Sequence, residues 1–298
     1  MKKKIFILIL ILESVTHFSI YAVSVVYNFR IAQITRQPIT KQAIYKNNAI
    51  SWLLFNFFQK NKFFHIRENY TGGLLTFNRN FCEKYYFRTD FAAAHTNQTV
   101  KNTLQVNETE PDDILCTMGR NFILNQNSRV TLSALLGIPT HSVNTLKRVD
   151  FGTGQVGTGL QLDGLYKIFK KADFLCGTRY VYFIPRTAFD AQDNSYKFTV
   201  GSIADILVSL KTNNTLGHGL EGGYAARWGF GINALPHIPK LKDAEYMRNN
   251  FFLVYKYTFL TERVANRLLL NISYGFDSKP KDKGYYAIMI WASWGIAF

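Results

Sequence analysis

Proline is scarce in this chain and charge is low: 7 Pro, and 18% Asp, Glu, Lys and Arg over 298 residues. Aromatic residues are plentiful by contrast, with 17 Tyr, 25 Phe and 4 Trp, and that balance excludes sustained disorder. Long hydrophobic runs are missing as well. Beyond roughly the first twenty positions no apolar stretch reaches the ~18–20 residues that each crossing of a helical membrane protein needs. Cysteine is sparse and odd in number; Cys82, Cys116 and Cys176 cannot all pair and do not have metal-ligand spacing. Neither a disulfide framework nor a metal or other cofactor is expected, and the three thiols read as small strand residues.

The amino terminus has the form of an export signal. Lys2, Lys3 and Lys4 make a positive head, Ile5 to Leu12 an unbroken apolar core, and Ala22 and Ser24 offer small residues for cleavage near 22–24. The expected division is a signal peptide over 1–24, a periplasmic or lumenal segment over 25–42, and a single barrel over 43–298. Loss of the signal removes three Lys and one Glu and lowers the formal charge from +15 to +13. That surplus suits anionic lipid or anionic solutes. Export argues against a nucleic-acid partner.

What is present, in quantity, is alternation. At 217–233 one face holds Gly217, Gly219, Glu221, Gly223, Ala225, Arg227, Gly229 and Gly231, and the other Leu220, Tyr224, Ala226, Trp228, Phe230 and Ile232. Successive strand side chains point to opposite faces, so this is a strand with one apolar side and one small, polar side. The same pattern recurs at 155–169, 196–210 and 264–277, where helical periodicity fails. These stretches exceed the ~5–6 residues of ordinary strands and match the tilted span of a membrane barrel.

Twelve candidate strands follow: 43–58, 63–77, 81–94, 113–124, 129–138, 155–169, 173–184, 196–210, 217–233, 249–260, 264–277 and 284–298. An even number is what bacterial single-chain barrels require. Connections at 78–80, 125–128, 170–172, 211–216 and 261–263 are short; those at 95–112, 139–154, 185–195 and 234–248 are longer. Short and long alternate as periplasmic turns and outer loops do. The fold class is therefore all-β: a transmembrane antiparallel up-and-down barrel of about twelve strands, with both ends in the periplasm. Trp52 to Phe58 is almost continuously apolar, which leaves open a short helix there instead of the first strand. Arg120 and Glu68 fall on the lipid face in the simplest register, a conflict that a bulge or a rim position would remove.

The chain stops inside a strand, with Tyr286, Ile288, Ile290, Trp294, Ile296 and Phe298 on one face. This ending resembles the assembly signal of bacterial outer-membrane β-barrel proteins. The resemblance implies recognition of Trp294, Ile296 and Phe298 by the barrel-assembly machinery. The run Leu132-Ser133-Ala134-Leu135-Leu136-Gly137-Ile138-Pro139-Thr140, a loop, and then Phe151-Gly152-Thr153-Gly154-Gln155-Val156-Gly157-Thr158-Gly159-Leu160 is similar to the outer-membrane family named for the meta-pathway of phenol degradation. That likeness covers 129–184 and implies a porin-like barrel for small-solute uptake.

Catalytic motifs do not survive their context. Gly152-Thr153-Gly154-Gln155-Val156-Gly157 and Gly217-His218-Gly219-Leu220-Glu221-Gly222 both spell the dinucleotide fingerprint. That fingerprint works only where a helix opens on the phosphates, and here each run continues into a strand. His141 and Ser142 are neighbours with no third group to orient them. No catalytic residue is expected, and the protein is not read as an enzyme.

The inward face is the candidate site: Arg67, Arg88, Asp90, Gln161, Asp163, Arg179, Asp205, Glu221, Arg227, Lys256 and Arg267. Such charges are costly in a dry core. They are expected to line a watered lumen, the alternative being a network of ion pairs that plugs the barrel. The sequence thus points to passive passage of small solutes across the bacterial outer membrane, with a weak anion preference and the surrounding lipids as a partner. A non-conducting structural or adhesion barrel, and a lipid-active hydrolase, stand as alternatives.

Overall fold

The structure, a computed structural model, describes residues 48–61, 66–81, 84–100, 104–140, 154–169, 171–189, 195–199, 201–212, 217–232, 244–261, 264–279 and 285–297. The expected signal peptide, the 25–42 segment and Phe298 lie outside these residues. Among the described residues every element is a strand.

A sheet edge exposes unpaired N–H and C=O groups, which hydrocarbon cannot satisfy, so a sheet that spans a membrane must close on itself. Here β1 (Asn48–Asn61) and β15 (Tyr285–Ala297) close it, in register from Ala49 opposite Ala297 to Asn61 opposite Tyr285. Between them run β2 (Ile66–Asn80), β3 (Tyr85–Val100), β4 (Leu104–Pro111), β5 (Ile114–Asn125), β6 (Ser128–Ile138), β7 (Gly157–Phe169) and β8 (Ala172–Phe183). The circuit is completed by β11 (Ser202–Thr212), β12 (Gly217–Ile232), β13 (Ala244–Thr261) and β14 (Val264–Lys279). Both β4 and β5 pair with β3, one above the other, and make a single stave. The barrel therefore has twelve staves, each antiparallel to its neighbours.

All five connections expected to be short are short, at 81–84, 126–127, 170–171, 213–216 and 262–263. The other end differs from expectation. Residues 95–112 are not a loop: β3 and β4 continue as a hairpin, pairing Ala93 with Pro111 up to Val100 with Leu104. Their sequence is polar on both faces because a ribbon beyond the membrane meets water on both, and so the alternation that marks a spanning strand is absent. Ala244–Arg248, also expected in a loop, opens β13.

The expected strand 196–210 is broken. Residues 195–198 form β10 (Ser195–Phe198) and pair only with β9 (Arg186–Phe189) in a separate ribbon. Gly201 has φ +74°, a left-handed conformation that side chains disfavour. Its N–H donates to Thr199 Oγ1 at 2.9 Å, and its carbonyl accepts from Phe183 N at 3.2 Å. Gly201 thus stands where the ribbon ends and β11 begins its pairing with β8.

The first strand, expected over 43–58, is a strand and no helix over its described residues and runs on to Asn61, while 43–47 lie outside the described residues. Its near-continuous apolar sequence has a simple cause: both faces need it. Leu53 and Phe55 are buried inside, whereas Trp52, Leu54 and Phe58 are exposed outside. The outside is apolar on stave after stave, as with Leu75, Met118, Leu136, Leu160, Ile206, Leu253, Leu270 and Ile290. In a soluble barrel that surface would be an aggregation hazard; in a bilayer it is the lipid-facing belt. Arg120 does sit on this face, level with Tyr85 at the start of β3, where its guanidinium lies over the Tyr85 and Phe122 rings at 5.4 and 4.8 Å. It is a rim residue, which removes the conflict raised by its position.

Three inward glycines are slots, each filled by the side chain directly opposite. Phe55 faces Gly72, Tyr86 faces Gly119, and Phe252 faces Gly223. A Cβ on these glycines would come within 2.5 Å of the Phe55 ring, 2.2 Å of the Tyr86 ring and 2.6 Å of the Phe252 ring. On β12, Gly223 and Gly219 let Phe252 and the stem of Lys256 lie flat against the wall. At Gly72 and Gly223 a Cβ would also meet backbone carbonyls of a neighbouring strand at 2.3 and 2.5 Å, while the adjacent outward Gly73 and Gly222 offer ordinary contacts of 3.7 Å or more. Gly72→Ala and Gly223→Ala are thus expected to destabilise the barrel by about 1–3 kcal/mol, and Gly73→Ala and Gly222→Ala by far less. Urea unfolding in detergent micelles checks this, and equal midpoints for the adjacent pairs would contradict it.

Candidate functional site

Because inward residues alternate along each stave and antiparallel partners share a face, register alone aligns inward side chains into rows across the wall. One row crosses six staves: Ser133, Gln161, Arg179, Asp205, Arg227 and Arg248 are successive partners from β6 to β13. At its centre two arginines converge on one carboxylate. Arg179 donates to Asp205 Oδ2 from Nε at 2.8 Å and again from Nη2. Arg227 donates from Nε to Oδ1 at 2.5 Å and from Nη2 to Oδ2 at 3.0 Å. Such paired, charge-assisted forks are the strong form of ion pair.

Smaller polar contacts flank the row. Gln161 Nε2 donates to Asp163 Oδ2 at 2.6 Å, and Ser209 Oγ to Glu221 Oε1 at 3.1 Å. On the far side of the ring Arg88 holds Asp90 through Nε, at 2.9 Å to each oxygen, and Thr76 Oγ1 adds a bond of 2.6 Å. The hydroxyls of Tyr86 and Ser133 meet at 2.8 Å across Gly119, the glycine between them in the wall.

The structure sets Arg88, Asp90, Gln161, Asp163, Arg179, Asp205, Glu221, Arg227, Lys256 and Arg267 at inward positions of their staves. It draws Arg179, Asp205 and Arg227 into one cluster and Arg88 with Asp90 into another. The side chain of Arg67 lies outside what the structure describes.

One correction concerns water. Arg179, Asp205 and Arg227 are 3, 2 and 5% exposed, so these charges are neutralised by one another and not by a wide aqueous bore. Sequence reasoning also missed Arg248, 2% exposed and next in the row after Arg227, because the loop was drawn through its strand. Trp291, at 1% exposure and opposite Phe55, was counted as part of the terminal strand without a role.

Removing one member of a buried ion cluster strands the others, which typically costs ~3–5 kcal/mol, whereas wholesale replacement by apolar side chains is close to neutral. Asp205→Asn is expected to lower stability by that amount. The triple variant Arg179→Met, Asp205→Leu, Arg227→Met should regain most of it. Urea midpoints of the folded, reconstituted barrels measure both; a harmless Asp205→Asn would mean that the cluster does not hold the wall.

No protein-family model matches the chain, and no curated protein matches it. Solved structures do. One is an outer membrane channel from Pseudomonas putida F1, with a TM-score of 0.68 at 11% identity over 85% of this chain and 96% of that one. Another is the translocator domain of the autotransporter NalP from Neisseria meningitidis, at 0.54 and 11%, over 96% and 99%. A third is the β domain of the Bordetella autotransporter BrkA, at 0.50 and 9%, over 85% and 100%. At these identities the likeness is one of fold, and the fold is that of a bacterial outer-membrane β-barrel.

Proposed function

We propose that the protein is an outer-membrane channel that passes small solutes passively through a narrow lumen. The observation that carries this reading is the chemistry of the inward face, where a row of charged and amide side chains crosses the wall of a barrel whose outside is apolar. Twelve staves lie between the eight that side chains fill and the 16–18 that leave an open channel, so a constricted conduit is the expected product. The resemblance in fold to the channel from Pseudomonas putida F1 supports the same reading. Guanidiniums outnumber carboxylates along the central row, which favours anions over cations in transit. On this reading the surroundings are outer-membrane lipids, and the terminal strand with Trp294, Ile296 and Phe298 serves the assembly machinery.

One observation favours a second reading. The mutual neutralisation and burial of Arg179, Asp205 and Arg227 would equally suit a closed barrel with a structural or adhesive role. A lipid-active hydrolase has less behind it: the rings of His95 and His218 meet the hydroxyls of Thr109 and Tyr255.

Single-channel recording of the full-length, heat-modifiable protein in a planar bilayer under a potassium chloride gradient separates these. The channel reading expects small, reproducible ohmic steps with a reversal potential displaced toward that of chloride. Silence from protein shown to be folded and inserted would move the assignment to the closed barrel.

A further inference from the structure

We propose that the outer surface around the turn between β2 and β3 is a binding site for one anionic phospholipid of the periplasmic leaflet, held by its headgroup phosphate. The site needs only the membrane barrel and is independent of conduction.

The wall collects three cations there. Arg79 is the last outward residue of β2, and Arg120 stands opposite Tyr85, the first residue of β3. The turn closes with a bond from Phe81 N to Tyr85 O at 3.0 Å. Asn121 N donates to Lys84 O at 2.7 Å and ties the turn to β5. Arg79, Lys84 and Arg120 are all exposed, at the end of the barrel where the tight turns lie, which is the periplasmic end of an outer-membrane barrel. Arg79 pairs with Phe87, and Phe87 with Met118, so the two arginines have one stave between them and an offset of two residues. Strands ~4.8 Å apart that rise ~3.4 Å per residue put their Cα atoms about 12 Å apart. Two arginine side chains can close that gap on one headgroup.

What the guanidiniums touch points to a phosphate. Arg79 lies 5.6 Å above the Phe81 ring, and Arg120 lies 5.4 Å from the Tyr85 ring and 4.8 Å from that of Phe122. Stacking uses the flat face of the guanidinium and leaves its in-plane N–H groups for another partner. Among the described residues neither arginine has a carboxylate within ion-pair distance, in contrast to the inward Arg88, Arg179 and Arg227. A cation on the lipid face costs more the deeper it sits, and a headgroup phosphate relieves that cost by taking N–H groups two at a time. The exposed rings of Phe77, Phe81 and Phe122 give the acyl chains an apolar floor. Net charge selects the headgroup. Phosphatidylethanolamine brings an ammonium that the three cations repel, whereas phosphatidylglycerol is an anion that they attract.

Native mass spectrometry of the full-length protein, released from micelles that hold phosphatidylglycerol and phosphatidylethanolamine in equal amounts, tests this. The first bound lipid is expected to be phosphatidylglycerol by at least about fivefold, with uptake that saturates at one molecule. Arg79→Gln combined with Arg120→Gln should bring the ratio close to one. Lys171→Gln, an exposed lysine on the β7–β8 turn, should leave it unchanged. Arg79→Lys combined with Arg120→Lys keeps the charge but loses the fork, and should retain less than about half of the preference. Should the glutamine pair not fold, the lysine pair decides: a preference equal to that of the unmodified protein would overturn the site. Equal binding of the two lipids, graded uptake of several phosphatidylglycerol molecules, or an undiminished preference in the glutamine pair would overturn it as well.

Discussion

Everything in this barrel depends on the pairing of β1 with β15. In hydrocarbon an unpaired backbone group has no water to turn to, so the first and last staves must satisfy one another along their full length. That single demand requires an even number of antiparallel staves and, with the register between neighbours, sets the parity of each. Parity then decides which side chains face lipid and which face one another across the interior. The chain meets the demand with two strands rich in large apolar residues. Trp52 and Trp294 flank the seam on the outside, their ring centroids 5.9 Å apart, while Phe55 and Trp291 cover it from within.

Once the ring is closed, its interior is an assembly problem as much as a transport one. Twelve staves enclose too little space for large side chains to project freely from every inward position. The solution is pairwise: a ring or long chain on one stave, a glycine opposite. Gly72, Gly119 and Gly223 take aromatic rings, and Gly219 takes the stem of Lys256. Charge is handled in the same pairwise way, with Asp205 shared by arginines from the staves on either side. Glycine slots and ion pairs together leave a wall that is flat, tightly covered and chemically different on its two sides.

Much of this architecture was legible in the sequence, because a membrane barrel writes its two faces in alternation. The described side chains of strands 217–233 and 264–277 were read with the correct faces, and four of the five tight turns were placed, since a turn interrupts a strongly patterned run; the fifth, expected at 78–80, lies beyond the end of β2 at Asn80. What could not be read has physical causes. The 95–112 hairpin leaves the membrane, where both faces meet water and the pattern vanishes. The break before Ser202 depends on the conformation of Gly201, which the surrounding alternation disguises. Of the site, the members Arg179, Asp205 and Arg227 were visible as inward charges, but not their convergence, because register between staves is a long-range property. The slots escaped for the same reason: Gly119 and Tyr86 are far apart in the chain, and neither announces the other.

The central claim is that the strands span a membrane with their apolar face outward, and it can be tested residue by residue. Spin labels placed singly at 288–294 on β15, in protein reconstituted into lipid bilayers, report collisions with dissolved oxygen, which concentrates in hydrocarbon. The account predicts a strict period of two, high at 288, 290, 292 and 294 and low at 289, 291 and 293. A uniform profile would mean that β15 is not a paired stave. The inverse pattern would mean that the apolar face is turned inward and that the barrel is not a membrane barrel.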